Sequence, residues 1–272
     1  MESTSKTILE KITSSQNKNL REVESLDSFK IQLPLSNTKT PTEIEKKHVY
    51  EVYDKIATHF SHTRYKPWPQ VENFLKTLPE NSLVLDIGCG NGKYLQSNDK
   101  INIIGTDRSI NLLKICREKI LNSQLFSCDS LKLPIRNNTF DAAISIAVIH
   151  HFSNDNLRIQ AIKEIVRILK INGLFLIYVW AIEQQEKKFS QQDNFVPWHL
   201  QEKWENNCVV NTLENGPKIA KDDKINCVVY QRYYHVFKKG ELENLIKNVD
   251  GVVIEKSYFD HANWCCVVRK VK

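Results

Sequence analysis

Nothing in this 272-residue sequence reads as a membrane span. No apolar run approaches the roughly 20 residues that a helix needs to cross a bilayer. The first residues, MESTSKTILEKITSSQ, lack the apolar core of a secretory signal, and Glu2 and Glu10 make them too acidic for a transit peptide. No membrane partner is expected, and the expected location is the cytoplasm, with the nucleus also open. Cys-x-x-Cys pairs are missing too. The seven cysteines (Cys89, Cys116, Cys128, Cys208, Cys227, Cys265 and Cys266) leave one unmatched, so neither a disulfide framework nor a zinc site is indicated. Several fall in predicted strands, where a free thiol behaves as a small buried hydrophobe. No internal repeat is visible.

What is present suits one large α/β domain with appendages. Hydrophobic content of 41% and charged content of 26% are ordinary for a globular chain. A net charge of +6 and a pI near 8.8 suit an RNA partner, but Lys, Asn and Ile are abundant throughout, so charge alone decides nothing. Residues 1–42 are polar without a sustained period, which predicts a disordered or loosely ordered arm. From residue 43 onward the pattern changes. Ile44, Val49, Val52, Tyr53, Ile56 and Phe60 fall on one helical stripe, and Val71, Phe74, Leu75 and Leu78 on another, entered through Pro67 and Pro69. Strands are predicted over 82–87, 101–106, 124–128, 141–146 and 173–180. Helices are predicted over 109–121 and 157–169, with Asn172-Gly173 marking the end of the second. Residues 183–228 read as an irregular insertion. A helix over 239–247 and strands over 252–259 and 263–269 complete a sheet with helices on both faces.

The run Val84-Leu85-Asp86-Ile87-Gly88-Cys89-Gly90-Asn91-Gly92, followed by Ile103-Ile104-Gly105-Thr106-Asp107, carries the chemistry. An apolar strand enters a turn with glycines at alternate positions. A second strand then ends in a carboxylate about 20 residues on, placed to accept from both hydroxyls of a ribose. Glycines admit positive φ and close approach of a ligand to bare backbone, and a helix expected after the turn offers free N–H groups at its start. The spacing is not Gly-x-Gly-x-x-Gly, and Asp86 at the entrance would repel a pyrophosphate. It would favour the ammonium-bearing methionine part of S-adenosylmethionine, and the run resembles motif I of the class I methyltransferases. A bare strand-to-helix turn is the alternative.

Asp129, beside Ser130 at the end of the third strand, is placed to accept from an adenine amine, or is simply a turn acid. After Ser145-Ile146 the chain reads Ala147-Val148-Ile149-His150-His151. Either histidine could position substrate, act as a base or cap a helix, with one facing the pocket and the other packing. Two aromatic–basic clusters lie outside this core, His59 to Trp68 and Tyr230 to Phe237. Their rings and cations suit unstacked nucleotides, or anchor a lid helix with snorkelling arginines.

Taken together, Thr63-Arg64-Tyr65-Lys66-Pro67-Trp68-Pro69, Asp86 to Leu95, Ser145 to His151, Phe195-Val196-Pro197-Trp198 and Arg232-Tyr233-Tyr234-His235 occur in an order that resembles the eukaryotic tRNA methyltransferases acting on wobble 5-carboxymethyluridine. The resemblance covers about residues 44–270. It implies a seven-stranded, mostly parallel sheet of the class I methyltransferase (Rossmann-like) fold with an antiparallel final strand. The implied reaction esterifies the carboxymethyl group with S-adenosylmethionine. A tRNA partner and a small zinc-binding activator subunit are implied as well. A short segment before Arg232, and Asn263-Trp264-Cys265 where relatives carry paired tryptophans, depart from the pattern. A carboxylate is already an anion near neutral pH, so alignment matters more than a strong base. The cations expected to hold it are Arg64, Lys66, Arg232 and His235, with His150 or His151 near the methyl. Tyr65, Trp68, Tyr233 and Tyr234 are the expected tRNA contacts. The cofactor is expected at Asp86, Gly88, Gly90, Gly92, Asp107, Asp129, Ser130 and Ile146. A small-molecule methyltransferase with an enclosed apolar pocket and an inactive methyltransferase-like scaffold are the rivals.

Overall fold

The computed structural model describes residues 42–64, 66–184, 189–201, 204, 220–222 and 227–272. Nearly all of the predicted N-terminal arm, together with Tyr65 and Cys208, lies outside the described residues. Thr42 opens the first helical run through a capping box, its hydroxyl accepting from Ile44 N while Glu45 accepts from its backbone. A single α turn (Glu43–Glu45) passes into a π-helical stretch (Lys46–Tyr50) and then a long helix, α1 (Glu51–Thr63). Val49, Val52 and Ile56 of the predicted stripe are buried. Helix α2 (Pro69–Thr77) starts at a proline, whose missing N–H is no loss at that position. Its Val71 and Leu75 are fully buried, each side chain contributing about 1.5–3 kcal/mol.

Strand and helix then alternate: β1 (Leu83–Ile87), β2 (Asn102–Asp107), α3 (Ile110–Lys119), β3 (Gln124–Ser127), β4 (Phe140–Ile146), α4 (Asp155–Ile168) and β5 (Leu169–Trp180). Ser109 caps α3 by accepting from Leu112 N, and Asn154 caps α4 by accepting from Leu157 N. Later come β6 (Asp193–Gln201), β7 (Ala220–Asp222), β8 (Cys227–His235), α5 (Glu241–Lys247), β9 (Val252–Asp260) and β10 (Asn263–Lys270). The main sheet has seven strands in the order β3-β2-β1-β4-β5-β10-β9. The pairs from β3 to β5 are parallel, and β10 runs antiparallel to both its neighbours. Among the described residues β3 pairs only with β2, so it is an edge of this sheet. Alternate residues feed two cores. Leu85, Ile87, Phe175 and Ile177 pack with α4 and α5 on one face, while Val84, Ile144, Leu176 and Tyr178 pack with α2 on the other.

Three expectations are corrected. No helix follows the glycine loop; the chain runs through successive turns, with Gly92 N–H donating to Cys89 O, Leu95 N–H to Gly92 O and Ser97 N–H to Tyr94 O. Asn172-Gly173 does not end a helix, because α4 has stopped at Ile168 and the chain is already strand. Asn172 instead takes φ +67° in an irregular stretch of β5 where the register against β4 shifts. Residues 183–228 are not an irregular insertion throughout. Val196, Trp198 and Leu200 alternate with Pro197, His199 and Gln201, and that period of two builds β6 against β8 in a three-stranded sheet. Pro197 is tolerated because β6 is an edge. Val52, Ile56, Trp198, Leu200, Val228 and Tyr230 form the core between this sheet and α1. Among the described residues no helix is long and apolar enough to cross a membrane.

Candidate active site

The carboxyl ends of β1, β2 and β4 open into a cavity of about 630 Å³, the place where parallel sheets of this topology hold ligands. Its floor is the glycine loop. Gly88 takes φ +77°, and a Cβ there would lie 2.3 Å from Val148 Cγ2, so both backbone and space demand glycine. Asp107, at the tip of β2, organises the loop: Gly90 N–H donates to its Oδ2 and Ser109 N–H to its Oδ1, each at 2.8 Å. Burial pushes the Asp107 carboxyl up to about 6 despite those amides. Asp86 is 1% exposed, and its Oδ2 has no partner among the described residues. Burial, then nearby Asp107, push its carboxyl up to about 7, with Lys93 opposing. Lys93 lies over the rings of Trp68 (4.9 Å) and Tyr94 (5.0 Å), and burial lowers its ammonium to about 8.

Helix α1 is tied to this floor. Asn91 Nδ2 donates to Ser61 O at 3.2 Å and Arg64 O at 3.1 Å, and Ser109 Oγ donates to Asp54 Oδ1 at 2.5 Å. Ser130 and Ile146 line the cavity, as does Asp129, which accepts from Leu131 N and pairs with Arg108 at 2.7 Å. The Arg108 guanidinium in turn covers the Tyr50 ring at 3.9 Å.

Above the floor stand the two histidines, and both are in the wall. Trp180 N–H donates to His150 Nδ1 at 3.1 Å, and burial, then His151 and Arg232, hold His150 well below the usual imidazole range. His151 Nδ1–H donates to Tyr233 O at 2.8 Å, so its Nε2 is an acceptor and takes the Tyr53 hydroxyl at 3.1 Å. Tyr234 O–H donates to the Tyr53 oxygen at 2.9 Å, and Arg232 Nη1–H to the Tyr234 oxygen at 2.8 Å. The chain Arg232 → Tyr234 → Tyr53 → His151 → Tyr233 C=O therefore has one direction, fixed by the carbonyl at its end. Burial lowers His151 to about 3. Neither ring is a useful base near neutrality.

Arg232 is 4% exposed, its Nε has no partner, and no carboxylate pairs with it among the described residues. The Trp198 indole supports it at 4.6 Å and reaches toward Arg64 at 5.8 Å. A buried guanidinium without a counter-ion is an anion site in waiting.

Arg64, Lys66 and Trp68 from one sequence cluster and Arg232 and Tyr234 from the other line the same cavity. Tyr233 and His235 do not. Strand β8 alternates, so these two face the opposite side. There Tyr233 O–H donates to Asp193, and His235 lies between Asp193 (2.9 Å) and Glu241 (2.7 Å). His235 is a structural hub rather than a substrate cation, which corrects its assignment and that of Tyr233. Sequence reasoning missed Tyr50, Tyr53, Lys93, Arg108, Trp180 and Asn263, all in the cavity wall. Tyr53 was visible only as part of an apolar stripe.

A protein-family model described as a methyltransferase domain matches residues 85–177. Among solved structures, an S-adenosylmethionine-dependent methyltransferase from Clostridium acetobutylicum shares the fold at 13% identity and TM-score 0.59, covering 81% of this chain and 100% of that one. A chain from the complex of a Haloferax volcanii methyltransferase with the Trm112 methyltransferase activator shares it at 14% identity and TM-score 0.54, covering 83% and 99%. In sequence, the chain is 41% identical over 266 residues to the tRNA (carboxymethyluridine(34)-5-O)-methyltransferase alkbh8 of Xenopus tropicalis, covering 84% of this chain but 41% of that longer protein. It is 47% identical over 233 residues to the tRNA (carboxymethyluridine(34)-5-O)-methyltransferase of Schizosaccharomyces pombe, covering 84% of this chain and 98% of that one. At that identity over nearly the whole relative, the chain belongs to the tRNA (carboxymethyluridine(34)-5-O)-methyltransferase family.

Proposed function

We propose that this protein uses S-adenosylmethionine to esterify the carboxymethyl group of 5-carboxymethyluridine at the tRNA wobble position. The observation that carries the reading is Arg232, a buried cation in the cavity wall with no acid of its own among the described residues. The residues at the floor fit the cofactor. Asp86 has a buried, unpartnered oxygen for an ammonium group, and Asp107 keeps lone pairs for ribose hydroxyls beyond the two amides it accepts. Gly88 and Gly90 leave the backbone bare in the cavity, and Asp129, Ser130 and Ile146, which line it, are assigned to the base. Gly92 is corrected as a cofactor residue: it lies outside the cavity lining and faces Cys116, Ile120 and Leu95. When bound, S-adenosylmethionine supplies an electrophilic methyl group.

The chain's own part is alignment. Arg232, oriented by its bond to the Tyr234 oxygen, fixes the substrate carboxylate, which is the nucleophile and needs no base. His150 and His151, kept neutral by burial, shape the wall and exclude water. Arg64, Lys66 and Lys93 make the mouth cationic, which suits an RNA loop and not a quinone or sterol. The activator subunit is assigned to the edge of β3, whose backbone groups are unpaired on one side.

Incubating the protein, alone and with activator, with hypomodified tRNA and labelled cofactor should yield 5-methoxycarbonylmethyluridine on nucleoside analysis. Label on any other nucleoside, or none with activator present, would overturn the reading.

A pH dependence follows from the floor. Asp86, raised to about 7, is largely protonated below that pH, whereas a bound ammonium favours the anion. Binding therefore releases a proton, and affinity for S-adenosylhomocysteine should weaken below about pH 7, toward about tenfold per unit. Calorimetry in two buffers of different ionisation enthalpy reads the released proton directly. A flat affinity from pH 5.5 to 7.5 (about two units spanning the transition) would remove Asp86 from the ammonium site.

A further inference from the structure

Apart from Asp86 Oδ2, Arg232 Nε and the Tyr50 hydroxyl, two buried side-chain atoms of the cavity wall, His150 Nε2 and Asn263 Oδ1, have no hydrogen-bond partner among the described residues. Each such atom costs about 1–3 kcal/mol when left unpaired, so a wall that keeps two of them is built for something that pairs with both. Their chemical characters are fixed by the bonds on their other sides. His150 Nδ1 accepts from Trp180 N–H, so the hydrogen of the neutral ring is on Nε2, a donor. Asn263 Nδ2 donates to Asp260 O at 3.2 Å and to His261 O at 2.7 Å, so its Oδ1 is an acceptor. Both residues are 1% exposed.

The two meet at Trp180. His150 accepts from the Trp180 backbone, and Asn263 is the cross-strand partner of Trp180 in the β10–β5 ladder. The turn that delivers Asn263 is strained as well. His261 and Ala262 take φ +44° and +63° with no glycine, and the Asn263 amide braces the turn through the Asp260 and His261 carbonyls. Such residues cost about 1–3 kcal/mol each and persist where the surroundings require them. A donor and an acceptor that flank the same residue, Trp180, in one cavity wall complement the C(=O)–N–H edge of a cyclic amide.

The order of groups along the wall then agrees with a modified uracil. Arg232 donates to Tyr234, the Tyr234 ring is 4.9 Å from the His150 ring, His150 is bound to Trp180, and Trp180 pairs with Asn263. Around the base the sequence is the C5 carboxymethyl group, then O4, then N3–H. We propose that His150 and Asn263 read the Watson–Crick edge of the wobble base, His150 Nε2–H donating to O4 and Asn263 Oδ1 accepting from N3–H. This rests on the substrate reading above and extends it from the carboxylate to the base. Cytosine, with an amine at C4 and a bare N3, sets donor against donor and acceptor against acceptor. The site thereby accepts a 5-substituted uracil and rejects the corresponding cytosine.

The test uses the full chain with activator and three tRNAs differing only at the wobble base: 5-carboxymethyluridine, its 4-thio derivative and its N3-methyl derivative. For the unaltered enzyme, kcat/KM should fall about tenfold with the 4-thio base and about 100-fold or more with the N3-methyl base. His150→Asn keeps an acceptor for the Trp180 N–H and removes the Nε2 donor. It should lose activity on the parent tRNA, retain affinity for S-adenosylhomocysteine, and show no additional 4-thio penalty. Asn263→Ala should shrink the N3-methyl penalty in the same way, a ratio taken within one variant and so insensitive to its folded fraction. Equal rates of the unaltered enzyme on all three tRNAs, or undiminished penalties in the variants, would overturn the base reading alone. No esterification of the parent tRNA by the unaltered enzyme would instead overturn the substrate reading beneath it.

Discussion

Arg232→Ala is expected to lower the single-turnover rate of esterification at saturating tRNA by about 10²–10³-fold while leaving affinity for S-adenosylhomocysteine unchanged. Arg232 is the buried cation of the site, 4% exposed, held by the Trp198 face and the Tyr234 oxygen and by no acid among the described residues. Removing one member of a buried, hydrogen-bonded charge pair costs about 3–5 kcal/mol, which sets that range. The loss falls on positioning, so added tRNA does not repair it. Arg232→Lys keeps the charge but loses the planar fork, and it should recover only part of the rate. Arg64 provides the contrast. It is exposed, donates to Thr63 O at 3.3 Å and only approaches Trp198. Arg64→Ala should weaken tRNA binding, lower the salt slope by about one and be rescued by saturation. Normal single turnover by Arg232→Lys would show that the carboxylate is not held by a guanidinium fork.

Asp107→Ala is expected to weaken S-adenosylhomocysteine binding by about 100-fold or more, measured by calorimetry, with little effect on tRNA affinity. The side chain has two tasks at once. Its Oδ2 and Oδ1 accept from Gly90 N and Ser109 N, joining the glycine loop to the start of α3, and its remaining lone pairs are the ones proposed to take the ribose hydroxyls. Hydrogen bonds to a charged group contribute about 1.5–3 kcal/mol each, part of which water restores when the side chain is removed. Asp107→Asn retains one acceptor and should fall between the two. Unchanged affinity in the alanine variant would sink the ribose assignment.

The parts of this site that a reader of the sequence could see are the local ones. Asp86, Gly88 and Asp107 sit at strand ends set by apolar runs and turn glycines, and the bonds from Gly90 and Ser109 that place Asp107 lie within about 20 residues, the span of one strand–helix–strand unit, although Gly88 also meets the distant Val148. The order β3-β2-β1 follows from the same repeat. Arg232-Tyr233-Tyr234-His235 shows where local reading fails. As a cluster it looks like one cationic patch, but a strand sends alternate side chains to opposite faces, so Arg232 and Tyr234 reach the cavity while Tyr233 and His235 turn to Asp193 and Glu241. Reading 183–228 as irregular hid the period of two in Val196, Trp198 and Leu200 that would have announced a strand. Tyr53 was illegible for another reason. Its hydroxyl acts through His151 and Tyr234, partners brought near only by the tertiary fold.

Under the proposed function, the counter-ion that Arg232 lacks among the described residues has a consequence for how a catalytic cycle ends. The substrate enters with a full negative charge, and the reaction turns it into a neutral ester. In the step that completes the chemistry, the main attraction holding the side chain against Arg232 is erased. Affinity is thus spent by the reaction itself, and the modified anticodon is let go by the same residue that recruited it. An acid beside Arg232, by neutralising it permanently, would have bound both forms alike and removed that asymmetry.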